Sequence, residues 1–171
     1  TLSVYGMSLA ISLFITVLDL TIANVSVPTI AAGMGASPRE GTWVITSYAV
    51  ADAVTVLLAG WLSRRFGTSR VLITAILWFC LTSIMCGLAT SLDMLVFFRV
   101  LQGIAGGPMV PISQTLILTS FPKDKAHYGV ALWTGVSVLG PIMGPVIGGY
   151  ICDNYPWRWI FLINVPVCLL V

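Results

Sequence analysis

Long apolar stretches joined by short polar connections dominate this sequence, and they predict its helices. A helix needs ~20 residues to cross a ~30 Å hydrocarbon layer, and five stretches have full crossing length. Each is predicted to be helical because a lone strand in lipid leaves its backbone groups unpaired. A sixth stretch covers residues 159–171. The five predicted spans are, approximately, residues 5–27, 42–62, 71–88, 92–118 and 128–151.

The composition supports an all-α, polytopic membrane helical bundle. The 171 residues are 58% hydrophobic and only 8% charged, whereas ordinary globular domains are about 25% charged. The net charge of +2 is small and scattered, so no nucleic-acid partner is predicted. Residues 159–171 are too few to complete a crossing. We therefore expect residues 1–171 to be a fragment, namely the N-terminal transmembrane bundle of a larger membrane protein. The fragment has five full spans and the start of a sixth. No removable signal peptide is predicted.

Basic residues are distributed unevenly between the two sets of connections. Five lie in the connections after the second and fourth spans, whereas only Arg39 and Arg158 lie in the others. By the positive-inside rule the connections with five are cytoplasmic, and so is the N-terminus. Trp43, Tyr155 and Trp157 are then predicted at the outer interface, where amphipathic rings concentrate. The five basic residues are Arg64, Arg65, Arg70, Lys123 and Lys125.

Three ionisable residues lie inside predicted spans, where each costs roughly 2.5–3.5 kcal/mol at the bilayer centre. Asp19 is eight residues before the outer end of its span, and Arg99 is seven residues after the outer start of its own. At ~1.5 Å per residue, both lie about 10–12 Å below the outer edge. Asp52 lies about 15 Å below that edge by the same rise. The three are therefore predicted at similar levels, where an Asp–Arg pair or a water-linked network is feasible.

Two interpretations of these charges remain open. In the first, a static ion pair pins helices together. In the second, a carboxyl group takes up a proton on one side and releases it on the other, because burial favours the neutral acid and a nearby arginine favours the charged form. Asp19 is the first candidate for this proton-coupling role, with Arg99 as its modulator and Asp52 as a further candidate. Asn24 and Gln102 are candidates for lining the same cavity.

Glycines recur at helical spacing in the fifth span, GVSVLGPIMGPVIGGY. Gly140, Gly144 and Gly148 repeat every four residues, which places three bare patches on one face where another helix can approach closely. Pro141 and Pro145 repeat beside that face, and each removes a backbone hydrogen bond and bends the helix. The pattern predicts a kinked span packed against a neighbour, either as a purely structural motif or as a joint that seals a pathway or lets two halves rock.

No pattern typical of an enzyme stands out. His127 is predicted in a solvated loop, with no second His or Cys near it for a metal site. The four cysteines lack metal-like spacing and are predicted to be free thiols used as small apolar residues. Neither a Ser-His-Asp arrangement nor a glycine-rich phosphate loop is recognisable. The sequence therefore predicts no catalytic residue, no metal and no cofactor.

Four motifs resemble those of the major facilitator superfamily and, within it, the fourteen-span drug:proton antiporters. LDLTIANVSVP is similar to the first-span signature, with Asp19 as its acid. FRVLQGIAGGP is similar to the fourth-span motif, whose arginine is implicated in proton coupling; here that residue is Arg99. GWLSRRFGTSR is similar to the cytoplasmic loop motif, but Arg64 stands where that motif usually has an acid. The family's charge contact through that acid is therefore not carried over. The positions that match the loop motif are Gly60, Gly67 and Arg70. The positions that match the fifth-span antiporter motif are Gly140, Pro141, Gly144, Pro145, Gly148 and Gly149.

The resemblance implies a proton-coupled multidrug efflux antiporter of the bacterial inner membrane. Two helical bundles rock around a midplane site in such proteins, and proton uptake drives the exit of hydrophobic toxic compounds. The resemblance also implies a tripartite pump with a periplasmic membrane-fusion adaptor and an outer-membrane channel. The alternatives are a proton-coupled solute symporter of the same fold, which needs more polar groups in its cavity, an integral membrane enzyme, or a channel.

Overall fold

The computed structural model describes the backbone of residues 2–171 and the side chains of residues 6–122 and 124–171. Tyr5, at the start of the first predicted span, and Lys123, used above for orientation, lie outside the described side chains. Five helices in this range are long and apolar enough to cross a membrane, and no β-strand occurs in it, as predicted. The helices are α1 Leu2–Gly33, α2 Pro38–Gly41, α3 Trp43–Phe66, α4 Thr68–Gly87, α5 Leu92–Ser120, α6 Ala126–Asn154, α7 Trp159–Leu162 and α8 Asn164–Leu169, with a 3-10 turn at Lys123–Lys125.

Several helices extend beyond the predicted spans. α1 continues through Pro28, because a proline is tolerated in a membrane helix where neighbouring groups restore the lost contacts. α3 includes Arg64 and Arg65 in its last turn, where the sequence predicted a loop. The prediction that His127 lies in a loop is also wrong, since it lies in the first turn of α6. Hydropathy marks only the part of a helix inside hydrocarbon, and long basic side chains carry a helix into the interface.

The sixth apolar segment folds as two short helices. α7 and α8 are separated at Ile163. Both contact α4, and both also contact α1, so the segment packs onto the bundle. Its Phe161 and Asn164 are thereby buried, at 0% and 1% exposure.

A glycine reverses the chain between α3 and α4. Gly67 has a φ of 89°, a backbone conformation that is strained for any residue with a Cβ atom. Its N–H donates to the carbonyl of Ser63 at 3.0 Å, which closes the last turn of α3. The reversal keeps the three arginines of the GWLSRRFGTSR segment at one end of the bundle.

α5 is the central helix of the bundle. Its most extensive contacts are with α3, followed by α4 and α1. Small residues on α5 allow α3 to approach: a Cβ atom on Gly103 would lie 2.5 Å from the carbonyl oxygen of Tyr48, and one on Gly107 would overlap the Thr55 hydroxyl. Thr55 Oγ1 donates to Gly103 O at 3.3 Å. Packing of two backbones across small residues is a usual source of helix association in lipid.

Two apolar clusters fill the interior, and a polar layer lies where they meet. On α1, Ile15 belongs to the first cluster and Leu18 to the second. On α5, the junction falls between residues 98 and 105. Asp19 and Arg99 both lie at this junction and both are 0% exposed. The fold therefore surrounds these two charged residues with apolar side chains from both directions.

Candidate functional site

Asp19 and Arg99 form a fully buried ion pair between α1 and α5. Arg99 Nη1 donates to Asp19 Oδ2 at 2.6 Å, and both side chains are 0% exposed. The prediction that an Asp–Arg pair is feasible is confirmed by this contact. Counting from the outer helix ends found two partners 80 positions apart in the chain, because every α-helix rises by the same ~1.5 Å per residue.

Three further polar side chains surround the Asp19 carboxylate. Asn164 Nδ2 donates to Asp19 Oδ1 at 2.6 Å, and Gln102 Nε2 reaches the same oxygen at 3.5 Å. Ser83 Oγ accepts from both amides, at 3.1 Å from Gln102 and 3.2 Å from Asn164. Gln102 Oε1 in turn accepts from Arg99 Nη1 at 2.8 Å. One network thus joins α1, α4, α5 and α8, and Gln102 belongs to it.

The Arg99 guanidinium lies against aromatic rings and a backbone carbonyl. Its Nε donates to Val44 O at 3.1 Å. Its Cζ lies 4.2 Å from the centre of the Tyr48 ring and 5.5 Å from that of Phe161, and such ring faces attract a cation. Nη2 has no hydrogen-bond partner among the described residues. Within that part of the chain Asp19 is the one acid paired with this cation.

Two other candidate residues lie outside the network. Asp52 is half-buried on α3, one turn after Tyr48, and its side chain forms no hydrogen bond or ion pair within residues 6–122 and 124–171. A Cβ atom built on Gly106 would lie 3.4 Å from Asp52 Oδ1 and would overlap the Tyr48 hydroxyl. Asp52 is therefore beside the network without a contact to Asp19 or Arg99. Asn24 is exposed on α1, away from the buried carboxylate.

Three members of the site were not identified from the sequence: Asn164, Ser83 and Tyr48. Asn164 carried a signal, since a lone carboxamide in an apolar segment needs a buried polar partner. Ser83 and Tyr48 lie in helices with apolar residues on every side, where periodicity does not indicate the inward face. Tyr48 contributes its ring to Arg99, whereas its hydroxyl has no hydrogen-bond partner among the described residues.

The fifth-span glycines pack against α1. Gly140, Gly144 and Gly148 are buried, and the close approach of another helix to this face is observed. A Cβ atom on Gly140 would lie 2.6 Å from Val17 Cγ1, and one on Gly144 would overlap the Thr21 side chain. Gly149 has open space around its Cβ position. α6 is assigned as one helix through Pro141 and Pro145, both of which are exposed.

The loop-motif residues lie at the end of the bundle that carries the Gly67 turn. Gly60 and Arg70 are exposed, and so are Arg64 and Arg65. No ion pair is formed by these arginines among the described residues.

The network holds one carboxylate and one guanidinium as its charged groups, both fully buried. Protonation of Asp19 would remove the charge that pairs with Arg99 and leave the guanidinium with neutral acceptors, Val44 O and Gln102 Oε1. No cluster of three or more His, Cys, Asp or Glu side chains suitable for a metal occurs in the described part of the chain.

Five apolar helices of crossing length, packed around buried charged residues, are typical of a multi-pass integral membrane protein. The inward-open structure of the xylose transporter XylE from E. coli superimposes with a TM-score of 0.84 at 15% identity, over 99% of this chain and 46% of that one. The Major Facilitator Superfamily model matches residues 9–171. The chain belongs to the major facilitator superfamily.

Two curated relatives match over nearly the whole chain. The probable multidrug resistance protein EmrY of Escherichia coli K12 is 47% identical over 171 residues, 100% of this chain and 33% of the relative. The multidrug export protein EmrB of the same strain is 48% identical over 166 residues, 97% of this chain and 32% of the relative. The chain therefore spans about a third of the length of these relatives, whose names agree with the multidrug class that the motifs resemble.

Proposed function

We propose that this bundle is the N-terminal part of a proton-coupled multidrug efflux antiporter of the bacterial inner membrane. The observation that carries the proposal is the buried Asp19–Arg99 pair, 2.6 Å long and inaccessible to solvent. It occurs in a chain nearly half identical to proteins named for multidrug resistance and export. A carboxyl group inside a transporter bundle is by default a candidate for proton relay.

Proton uptake at Asp19 is the step that we couple to helix movement. Removing one partner of a buried ion pair is strongly destabilising, by about 3–5 kcal/mol, because it leaves an uncompensated charge. A protonated Asp19 would leave Arg99 as an uncompensated buried charge. Either α1 and α5 must then rearrange, or Arg99 must find another acceptor. Release of the proton restores the pair. Asp19 is thus the proton carrier, and Arg99 sets the cost of its neutral form.

Asp52 is a second acidic site in this proposal. It is half-buried and without an ion pair in the described part of the chain. The Tyr48 ring contacts Arg99, and Asp52 lies one helical turn further along α3. Asp52 is therefore the acid closest along the chain to Tyr48. From this position we infer that Asp52 has a supporting role in proton coupling.

The α1–α6 contact is proposed as the joint or seal of the transport cycle. Gly140, Gly144 and Gly148 bring α6 against α1, the helix that carries Asp19. A shift of α1 on protonation would therefore displace α6 directly. Thr21 Oγ1 reaches Gly140 O at 3.4 Å across this contact. The remaining positions that resemble the antiporter motif, Pro141, Pro145 and Gly149, are proposed to shape the same helix.

The cargo is proposed to be hydrophobic drugs that leave by alternating access between this bundle and the remainder of the longer protein. Few polar side chains are available to recognise a polar solute, which disfavours the symporter alternative. Asn24, exposed on α1, is a candidate for the cavity wall. By the positive-inside rule, the basic connections support a cytoplasmic N-terminus. Motif resemblance further suggests a periplasmic membrane-fusion adaptor and an outer-membrane channel as partners.

Dye transport by the full-length protein in inverted membrane vesicles with an imposed pH gradient tests this function. Wild-type protein should transport the dye when the gradient is present, and Asp19→Asn should insert normally but lose gradient-driven transport. Asp153→Asn, at an exposed acid near the end of α6, is the matched control and should behave as wild type. Normal gradient-driven transport by Asp19→Asn would reject Asp19 as the proton carrier.

A further inference from the structure

A groove of about 720 Å³ opens between the adjoining ends of α3 and α4, beside the Gly67 turn. α3 and α4 pack extensively on α5 but touch each other little. They therefore diverge from the turn and leave α5 as the floor of the groove. The volume is within the range of sites that hold one small ligand, roughly 300–1,000 Å³.

The groove has a basic end and an apolar body. Arg65, near the end of α3, and Arg70, near the start of α4, line the end next to the turn, and no acidic side chain lines the groove. Trp78 and Ile104 line its body, and both are 44% exposed. Trp78 follows Arg70 by eight residues, which places it about 12 Å further into the membrane. Trp78 Nε1 donates to Leu101 O at 3.2 Å, which fixes the indole to α5.

We propose that this groove binds one anionic phospholipid from the leaflet that borders the Gly67 turn. The phosphate is placed between Arg65 and Arg70, because guanidinium groups form charge-assisted hydrogen bonds with phosphate oxygens. One acyl chain then lies along Trp78 and Ile104, where it covers exposed apolar surface. Basic pockets between membrane helices on the cytoplasmic side are suited to anionic headgroups.

Charge complementarity favours a lipid over a covering protein helix. Arg65 and Arg70 form no ion pair among the described residues. A helix laid over the groove would have to bury both cations or bring acids to them, whereas a phospholipid supplies a phosphate at the headgroup level and hydrocarbon below it. The depth order of the groove, cations first and apolar side chains deeper, matches that of a lipid molecule.

Native mass spectrometry of the purified full-length protein, titrated with phosphatidylglycerol or phosphatidylcholine, tests the proposal. Wild-type protein should bind phosphatidylglycerol in preference to phosphatidylcholine. Arg65→Gln/Arg70→Gln should weaken phosphatidylglycerol binding at least tenfold. Arg64→Gln is the matched control, because Arg64 lies in the same basic segment but does not line the groove; it should change binding less than twofold. Ile104→Trp should also weaken binding with both arginines intact, since the larger side chain narrows the apolar body of the groove.

A second measurement locates the bound lipid. Phosphatidylglycerol with brominated acyl chains should quench the fluorescence of wild-type protein more than that of Trp78→Phe. An equal loss of binding in Arg64→Gln and the double variant would overturn the proposal, as would equal binding of the two lipids. Absence of quenching at Trp78 would also overturn it and would indicate that another part of the full-length chain covers the groove.

Discussion

Arg99 Nη1 lies 2.6 Å from Asp19 Oδ2, and neither side chain is exposed. The two residues come from different helices, α1 and α5, and lie where the two apolar clusters of the bundle meet. A carboxylate and a guanidinium that share this position depend on each other, because each would be an isolated charge in a medium of low dielectric constant if its partner were neutralised. A change of charge on either residue would therefore act directly on the contact between α1 and α5.

Removing only Arg99 should destabilise the protein more than removing the pair. Arg99→Gln leaves the Asp19 carboxylate buried without its cation, and we expect a loss of about 3–5 kcal/mol in the free energy of unfolding. Asp19→Asn/Arg99→Gln leaves two neutral groups that can hydrogen-bond, so it should recover most of that loss while remaining inactive in gradient-driven transport. Thermal unfolding of the purified full-length protein compares both variants with the wild type.

Arg158→Gln is the control for this comparison. Arg158 is exposed and stacks on Trp157 near the start of α7, with its Cζ 5.5 Å from the ring centre. Its replacement should change stability little. A double variant as unstable as Arg99→Gln would show that the two charges do not depend on each other.

Asn164→Leu should remove the hydrogen bond that joins the sixth apolar segment to the Asp19 carboxylate. The Asn164 amide donates to Asp19 Oδ1 at 2.6 Å, and a hydrogen bond to a charged group contributes about 1.5–3 kcal/mol. We expect a loss of stability of that order, measured as a lower thermal midpoint. Asn154→Leu, at an exposed amide in the last turn of α6, should leave the midpoint nearly unchanged. Equal midpoints for the two variants would mean that Asn164 makes no significant contact with Asp19.

Gly144→Leu should abolish transport while the protein still inserts in the membrane. A side chain at Gly144 would occupy the space of Thr21 and force α6 away from α1. Gly135→Leu is the matched control, because Gly135 lies nine residues earlier on the same helix with open space at its Cβ position. It should retain transport in the vesicle assay. Full activity of Gly144→Leu would reject close α1–α6 packing as a requirement.

The central pair could be predicted from the sequence, but the rest of its environment only in part. Two charges in spans of known direction have depths that follow from residue counting, and Gln102 joins them because it follows Arg99 by nearly one helical turn. Counting gives depth but not the angular position of a side chain around the helix. Asp52 was therefore predicted at a similar level to the pair, but it lies outside the network.

Asn164 and the helix ends show a second limit of sequence reasoning. Asn164 lies in a segment that was read as an incomplete span, and nothing in its local sequence indicates that two short helices bring it against Asp19. The ends of α1, α3 and α6 extend beyond the apolar stretches because the helix hydrogen-bond pattern continues into the interface, where hydropathy no longer marks it. In contrast, four-residue glycine spacing sufficed to predict the packed face of α6, since that spacing alone fixes a shared face.

The most direct test of Asp19 as proton carrier is proton release on drug binding by the purified full-length protein. A hydrophobic dye is added to protein in weakly buffered detergent solution, and the change in proton concentration is recorded. Wild-type protein and Asp153→Asn should release protons as the dye binds, and Asp19→Asn should bind dye without releasing them. Undiminished proton release from Asp19→Asn would contradict the proposal, because the exchanged proton would then come from another group.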